Sequence, residues 1–136
     1  LLARERLSSQ LARFRALNER LWQGLATIPG VLRNGGPVNA FPGILNVSIE
    51  GIEGESLRLA LEPLCVASGS ACNSETGEPS YVLRALGRSD ALAQSAIRIS
   101  FGHDTTEAEV DYAIARYAAA VSHLRGIMPA AAGAAR

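Results

Sequence analysis

Ile44-Leu45-Asn46-Val47-Ser48-Ile49-Glu50 sets Leu45, Val47 and Ile49 against Asn46, Ser48 and Glu50 in strict alternation. Successive side chains of an extended chain leave opposite faces, so this stretch reads as a strand with one apolar and one polar side. Ala96 to Phe101 repeats the pattern, with Ile97, Ile99 and Phe101 on one face and Arg98 and Ser100 on the other. Two strands with a single apolar face each need a cover, and the flanking sequence supplies helices. Leu7, Leu11, Phe14, Leu21, Leu25 and Ile28 form a stripe at helical spacing that Pro29-Gly30 ends. Thr106 and Glu109 have capping-box spacing ahead of a second stripe of Val110, Ile114, Tyr117, Val121 and Leu124.

Smaller elements fill the intervals. Val31 to Gly43 reads as a short strand and a loop, and Gly54 to Leu64 as a helix with Leu57, Leu61 and Leu64 on one face, limited by Pro63. Cys65-Val66-Ala67 is predicted to be a brief buried strand, with Cys65 an inert thiol between Leu64 and Val66. Ser68 to Pro79 is small and polar, a flexible surface loop, and Ser80 to Leu86 is a short helix closed by Gly87. The fold class is α+β, a small, mostly antiparallel sheet covered by helices, with residues 1–128 as one domain and 129–136 as a flexible tail.

Composition narrows the chemistry. The chain has 136 residues, 48% of them hydrophobic, enough for one core. Its 13 basic residues balance 13 acidic ones and are all arginine, scattered along the chain. No stripe for nucleic acid or an anionic membrane results. No apolar run reaches the roughly 20 residues that span a bilayer, and Arg4, Glu5 and Arg6 stand where a signal peptide carries its apolar stretch, so a cytoplasmic protein is expected. His103 and His123 have no ligand-like spacing to the cysteines, and no metal site is predicted. The absence of lysine means that this chain cannot form a Schiff base with a carbonyl cofactor.

Two residues carry candidate chemistry. Cys72 stands in the run Ser68-Gly69-Ser70-Ala71-Cys72-Asn73-Ser74, whose small side chains cannot pack a core around it. A thiol reacts as thiolate and must reach its target, which suits a nucleophile or persulfide carrier on a loop; an incidental surface cysteine is the plain alternative. Arg98 leaves a rigid strand on its polar face, placed to grip a carboxylate through two parallel hydrogen bonds or simply to meet solvent or an acidic neighbour. Asn46 and Ser48 either line a site or satisfy the sheet edge, and His103 is assigned no role.

Ile44-Leu45-Asn46-Val47-Ser48, Glu53-Gly54-Glu55-Ser56-Leu57, Ser68-Gly69-Ser70-Ala71-Cys72, Glu78-Pro79-Ser80-Tyr81-Val82-Leu83-Arg84-Ala85-Leu86-Gly87 and Ile97-Arg98-Ile99-Ser100-Phe101-Gly102 occur in this order. In them the chain resembles the cysteine desulfurases of the NifS/IscS type, in the class V aminotransferase family. The resemblance implies the C-terminal small domain of a fold-type I pyridoxal-phosphate enzyme that takes sulphur from L-cysteine and leaves alanine. By the same resemblance Cys72 carries the sulphur as a persulfide and Arg98 binds the substrate carboxylate. The Schiff-base lysine, the ring-stacking histidine and most phosphate ligands belong to a preceding large domain, so no cofactor-binding residue is expected in this chain. The implied partners are L-cysteine, that large domain, and an acceptor or scaffold protein serving iron–sulphur cluster assembly or tRNA thiolation. The isolated chain is expected to be inactive and, with a former interface uncovered, to self-associate as a homo-oligomer. The other reading is a non-enzymatic sulphur relay with a persulfide on Cys72. His103-Asp104 stands where relatives often have Arg-Phe, and no role of that arginine carries over.

Overall fold

The computed structural model describes residues 2–36, 40–68 and 81–127. Its elements run α1 (Leu2–Leu25), β1 (Val31–Arg33), β2 (Ile44–Ile49), α2 (Gly54–Ala60), β3 (Ala67–Ser68), α3 (Tyr81–Ala85), α4 (Asp90–Gln94), β4 (Ile97–Ser100) and α5 (Glu107–Ile127). The strands form one sheet in the order β1-β2-β4-β3, and every pairing is antiparallel. Alternation in β2 and β4 therefore did what it promised: Leu45, Val47, Ile49 and Ile97 are buried in one core with Phe14, Leu21 and Leu25 of α1 and Tyr117, Val121 and Leu124 of α5.

The two long helices lie side by side on that apolar face. Their contacts advance together along both chains, from Arg20 on Asp111 to Gly24 beneath Ile114 and the Pro29 carbonyl under Arg125, so the helices run in the same direction. A Cβ at Gly24 would sit 2.4 Å from Ile114 Cδ1, so the approach depends on that glycine. The Thr106–Glu109 capping box forms as read, with Glu109 Oε2 accepting from Thr106 N and Thr106 Oγ1 accepting from Glu109 N.

Three local expectations need correcting. Leu7 belongs to the stripe in the sequence but is 58% exposed, because residues 2–9 extend past the packed body and have nothing to cover them. Helix α2 ends at Ala60, and its Leu61 cap is followed by turns rather than a further helical turn. The strand expected at Cys65-Val66-Ala67 is Ala67–Ser68, and Cys65 is exposed. Pairing with β4 begins only at Ala67, so no neighbouring strand covers the cysteine. Helix α4 is an element the sequence reading missed; Ser89 caps it by accepting from Leu92 N. Gly87 does end α3 in the left-handed region, at φ 86°, with Arg88 N bonded to Leu83 O and Gly87 N to Arg84 O.

Candidate functional site

The polar face of the sheet is where the candidate residues fall. The β2–β4 register sets Asn46 opposite Arg98, and the β3–β4 register sets Ala67 opposite Arg98 on its other side. On the β1 side Asn34 N donates to Asn46 O at 2.9 Å, extending the ladder by one residue. A single row, Asn34, Asn46, Arg98 and Ala67, therefore crosses all four strands. Arg98 and Ser100 are exposed and Ile44 is 39% exposed, so this end of the face lies open. Arg98 belongs to none of the ion pairs among the described residues, which leaves its charge available to a ligand.

An open groove of about 640 Å³ runs beside Arg98, walled by Arg58, Glu62, Cys65 and Ser100. Arg58 is committed to Glu55, at 2.7 Å and 3.0 Å, and that hydrogen-bonded pair holds the Glu55 carboxyl below its usual range. Among the described residues Arg98 is thus the uncommitted cation of the groove. On the far side of the same chain segment lies an apolar cleft of about 340 Å³ between Leu64, Val66, Ile99, Phe101 and Val110. Cys65 stands at the lip of both spaces rather than in the core.

Asn46 and Ser48 are not at a sheet edge, since β2 is an interior strand. Ser48 is fully buried and its hydroxyl accepts from Asn34 Nδ2 at 2.8 Å. The same nitrogen donates to Asn46 Oδ1 at 2.8 Å, while Arg88 Nε donates to Asn34 Oδ1 at 2.8 Å. This network joins residues 34, 46, 48 and 88, a union that no local spacing announces. His103 Nδ1 lies 3.0 Å from Gln10 Oε1, and the His103 and Thr105 carbonyls accept from Arg13, so the turn after β4 is fastened to α1. That gives His103 a structural tie where the sequence offered no role.

Cys72 lies outside the described residues, as do the rest of 69–80 and the segment from 128 onward. Among the described residues no three His, Cys, Asp or Glu side chains gather as a metal site would need, and no helix is long and apolar enough to cross a membrane.

This antiparallel sheet, with an open polar face and two long helices behind it, is a fold shared with solved structures described as NifS-like proteins. The chain belongs to the class V aminotransferase family, whose profile, described as "Aminotransferase class-V", matches residues 1–113. Within that family it is 52% identical over 128 residues to a protein named cysteine desulfurase IscS from Edwardsiella ictaluri, a match covering 94% of this chain and 32% of that protein. The cysteine desulfurase IscS of Serratia proteamaculans is 50% identical over 128 residues, with the same coverage. A solved structure described as a NifS-like protein superposes with a TM-score of 0.74 at 30% identity, covering 90% of this chain and 31% of that one. The chain spans about a third of the length of the curated relatives it matches.

Proposed function

We propose that this chain is the C-terminal part of a cysteine desulfurase, in which Arg98 grips the carboxylate of L-cysteine and Cys72 takes its sulphur. The observation that carries the reading is the half-identity to cysteine desulfurases over 128 residues, read together with the open row that centres on Arg98. Cys72 follows Ala67 by five residues in the sequence. A chain of that length spans at most about 18 Å, so the thiol is tethered within reach of a substrate held at Arg98. Residues 1–128 act in this reading as a single small domain of the longer protein.

The transfer balances in atoms and electrons. The Cys72 thiolate attacks the substrate sulphur, a sulphur–sulphur bond forms, and the substrate carbon–sulphur bond breaks with its electron pair left on carbon. That carbon takes up a proton and departs as alanine, and Cys72 is left as a persulfide for an acceptor protein. Pyridoxal phosphate, expected for the family, would supply the electron sink such a carbon needs. The residues of this chain do not fit it, because with no lysine there is no amine to hold it covalently. Its binding is therefore assigned to the other two thirds of the protein.

The test uses the full-length protein with Cys72→Ser. Alanine release from L-cysteine and the mass gain of one sulphur atom on the protein should both be lost. A variant that still turns over at the wild-type rate would overturn the reading.

A further inference from the structure

The row Asn34, Asn46, Arg98 and Ala67 contains a hydrogen-bond direction that can be worked out from chemistry alone. A guanidinium has only donors. Arg88 Nε, 2.8 Å from Asn34, must therefore meet the Asn34 oxygen, which turns the Asn34 nitrogen toward Asn46 and Ser48. Arg88 is itself seated by a bond from its Nη2 to the Arg33 carbonyl at 2.7 Å. Facing a donor, Asn46 must show Asn34 its oxygen. Asn34 lies on the β1 side of Asn46 and Arg98 on the β4 side, so the Asn46 amide nitrogen is left on the side of Arg98. Among the described residues that nitrogen donates to no acceptor, and Arg98, a pure donor, cannot serve as one. Two donors thus stand at paired positions on adjacent strands of the open face, and neither can satisfy the other.

We infer that Asn46 supplies a second hydrogen-bond donor to the carboxylate gripped by Arg98, with Asn34 and Arg88 as positioning residues that fix which end of the Asn46 amide faces it. The inference rests on the proposed function for the identity of the carboxylate. A guanidinium and an amide nitrogen side by side suit a group with two acceptor oxygens, and they discriminate against a substrate lacking the carboxylate, since both donors would then lose their partner.

The experiment uses the full-length protein and reads KM for L-cysteine, kcat, and competitive inhibition by L-alanine, which carries the same carboxylate but is not turned over. Asn46→Ala should raise KM and the alanine inhibition constant about tenfold with kcat little changed, the size of one hydrogen bond to a charged acceptor. Asn46→Asp should raise both further, because it places a like charge against the carboxylate. Asn34→Asp keeps the acceptor for Arg88 and removes the donor to Asn46, so the Asn46 amide reverses; it should reproduce the Asn46→Ala effect with Asn46 intact and add nothing in the Asn46→Ala background. A merely structural role for Asn34 would instead add in that background. Wild-type KM and alanine inhibition in Asn46→Ala, with Arg98→Ala strongly impaired, would overturn the inference and leave the proposed function standing. Wild-type values in Arg98→Ala would overturn the proposed function itself.

Discussion

Gly54 meets the backbone of Gln94 so closely that a Cβ on it would lie 2.0 Å from the Gln94 carbonyl oxygen. The contact brings the start of α2 against the end of α4, and neither partner is a flexible side chain that could step aside. Gly54→Ala should therefore destabilise the protein by about 2–3 kcal/mol, the usual size of an overpacked contact. Chemical denaturation checks it, and an unchanged midpoint would contradict the packing described.

Tyr117 is 1% exposed and its hydroxyl has no hydrogen-bond partner among the described residues, so burial pushes its pKa upward. Tyr117→Phe removes a polar group that gains nothing inside and should cost nothing, or stabilise by about 1 kcal/mol. The raised value also has a sign in pH. Folding holds the proton more tightly than the unfolded chain does, so the contribution is complete below the ordinary tyrosine value of 10.0 and drains away as the pH rises past it. The phenylalanine variant should lose that part of the alkaline decline in melting temperature, and an unaltered decline would assign it elsewhere.

Glu53 is the N-cap of α2, its carboxylate accepting from Ser56 Oγ at 2.6 Å, Ser56 N at 2.8 Å and Glu55 N at 3.0 Å. The Ser56 hydroxyl and then its backbone amide hold the Glu53 carboxyl below its ordinary 4.5. A depressed value stabilises the folded chain above pH 4.5, and the contribution is lost as the pH falls through the lowered value. Glu53→Ala should cost about 0.5–1 kcal/mol at neutral pH, and the gap to the wild type should close in acid. Unfolding followed at both ends of that range decides it.

Cys65 is exposed at the lip of two grooves, so in a Cys72→Ser background it should react with a thiol reagent without prior unfolding. Mass spectrometry of this folded 136-residue chain should show one adduct. Conversely, Cys65→Ser should leave the sulphur transfer proposed for Cys72 intact, and loss of the persulfide in that variant would move the chemistry to the other cysteine.

Isolated chain, supplied with pyridoxal phosphate and L-cysteine, should release no alanine, since it contains no lysine. Turnover by the pure chain would show that the remaining two thirds of the relatives' length is dispensable.

What the sequence made legible was governed by short-range periodicity. The alternation in β2 and β4 and the stripes of α1 and α5 gave the α+β class and most of the core, because each such residue reports its own burial through its neighbours two, three or four positions away. Cys65 failed that logic: flanked by Leu64 and Val66 it reads as interior, but its exposure depends on where β3 begins to pair, a tertiary fact. Leu7 failed likewise, because a helical stripe does not say how far its cover extends. Arg98 was recognisable on a polar strand face. Its companion Asn46 was only one of two polar residues on β2, and the direction of its amide follows from Asn34 and Arg88, the latter 42 positions along the chain and on no shared element. The Ser89 cap could have exposed α4, since serine followed by a short run of helix formers is a start signal.

The margin of the sheet at β1 is brief, three residues long. An unpaired rim of that length presents few amide and carbonyl groups for a foreign chain to copy, which is a defence against templated growth into fibrils. A sheet that leaves one face open thereby keeps this flank closed to its own kind.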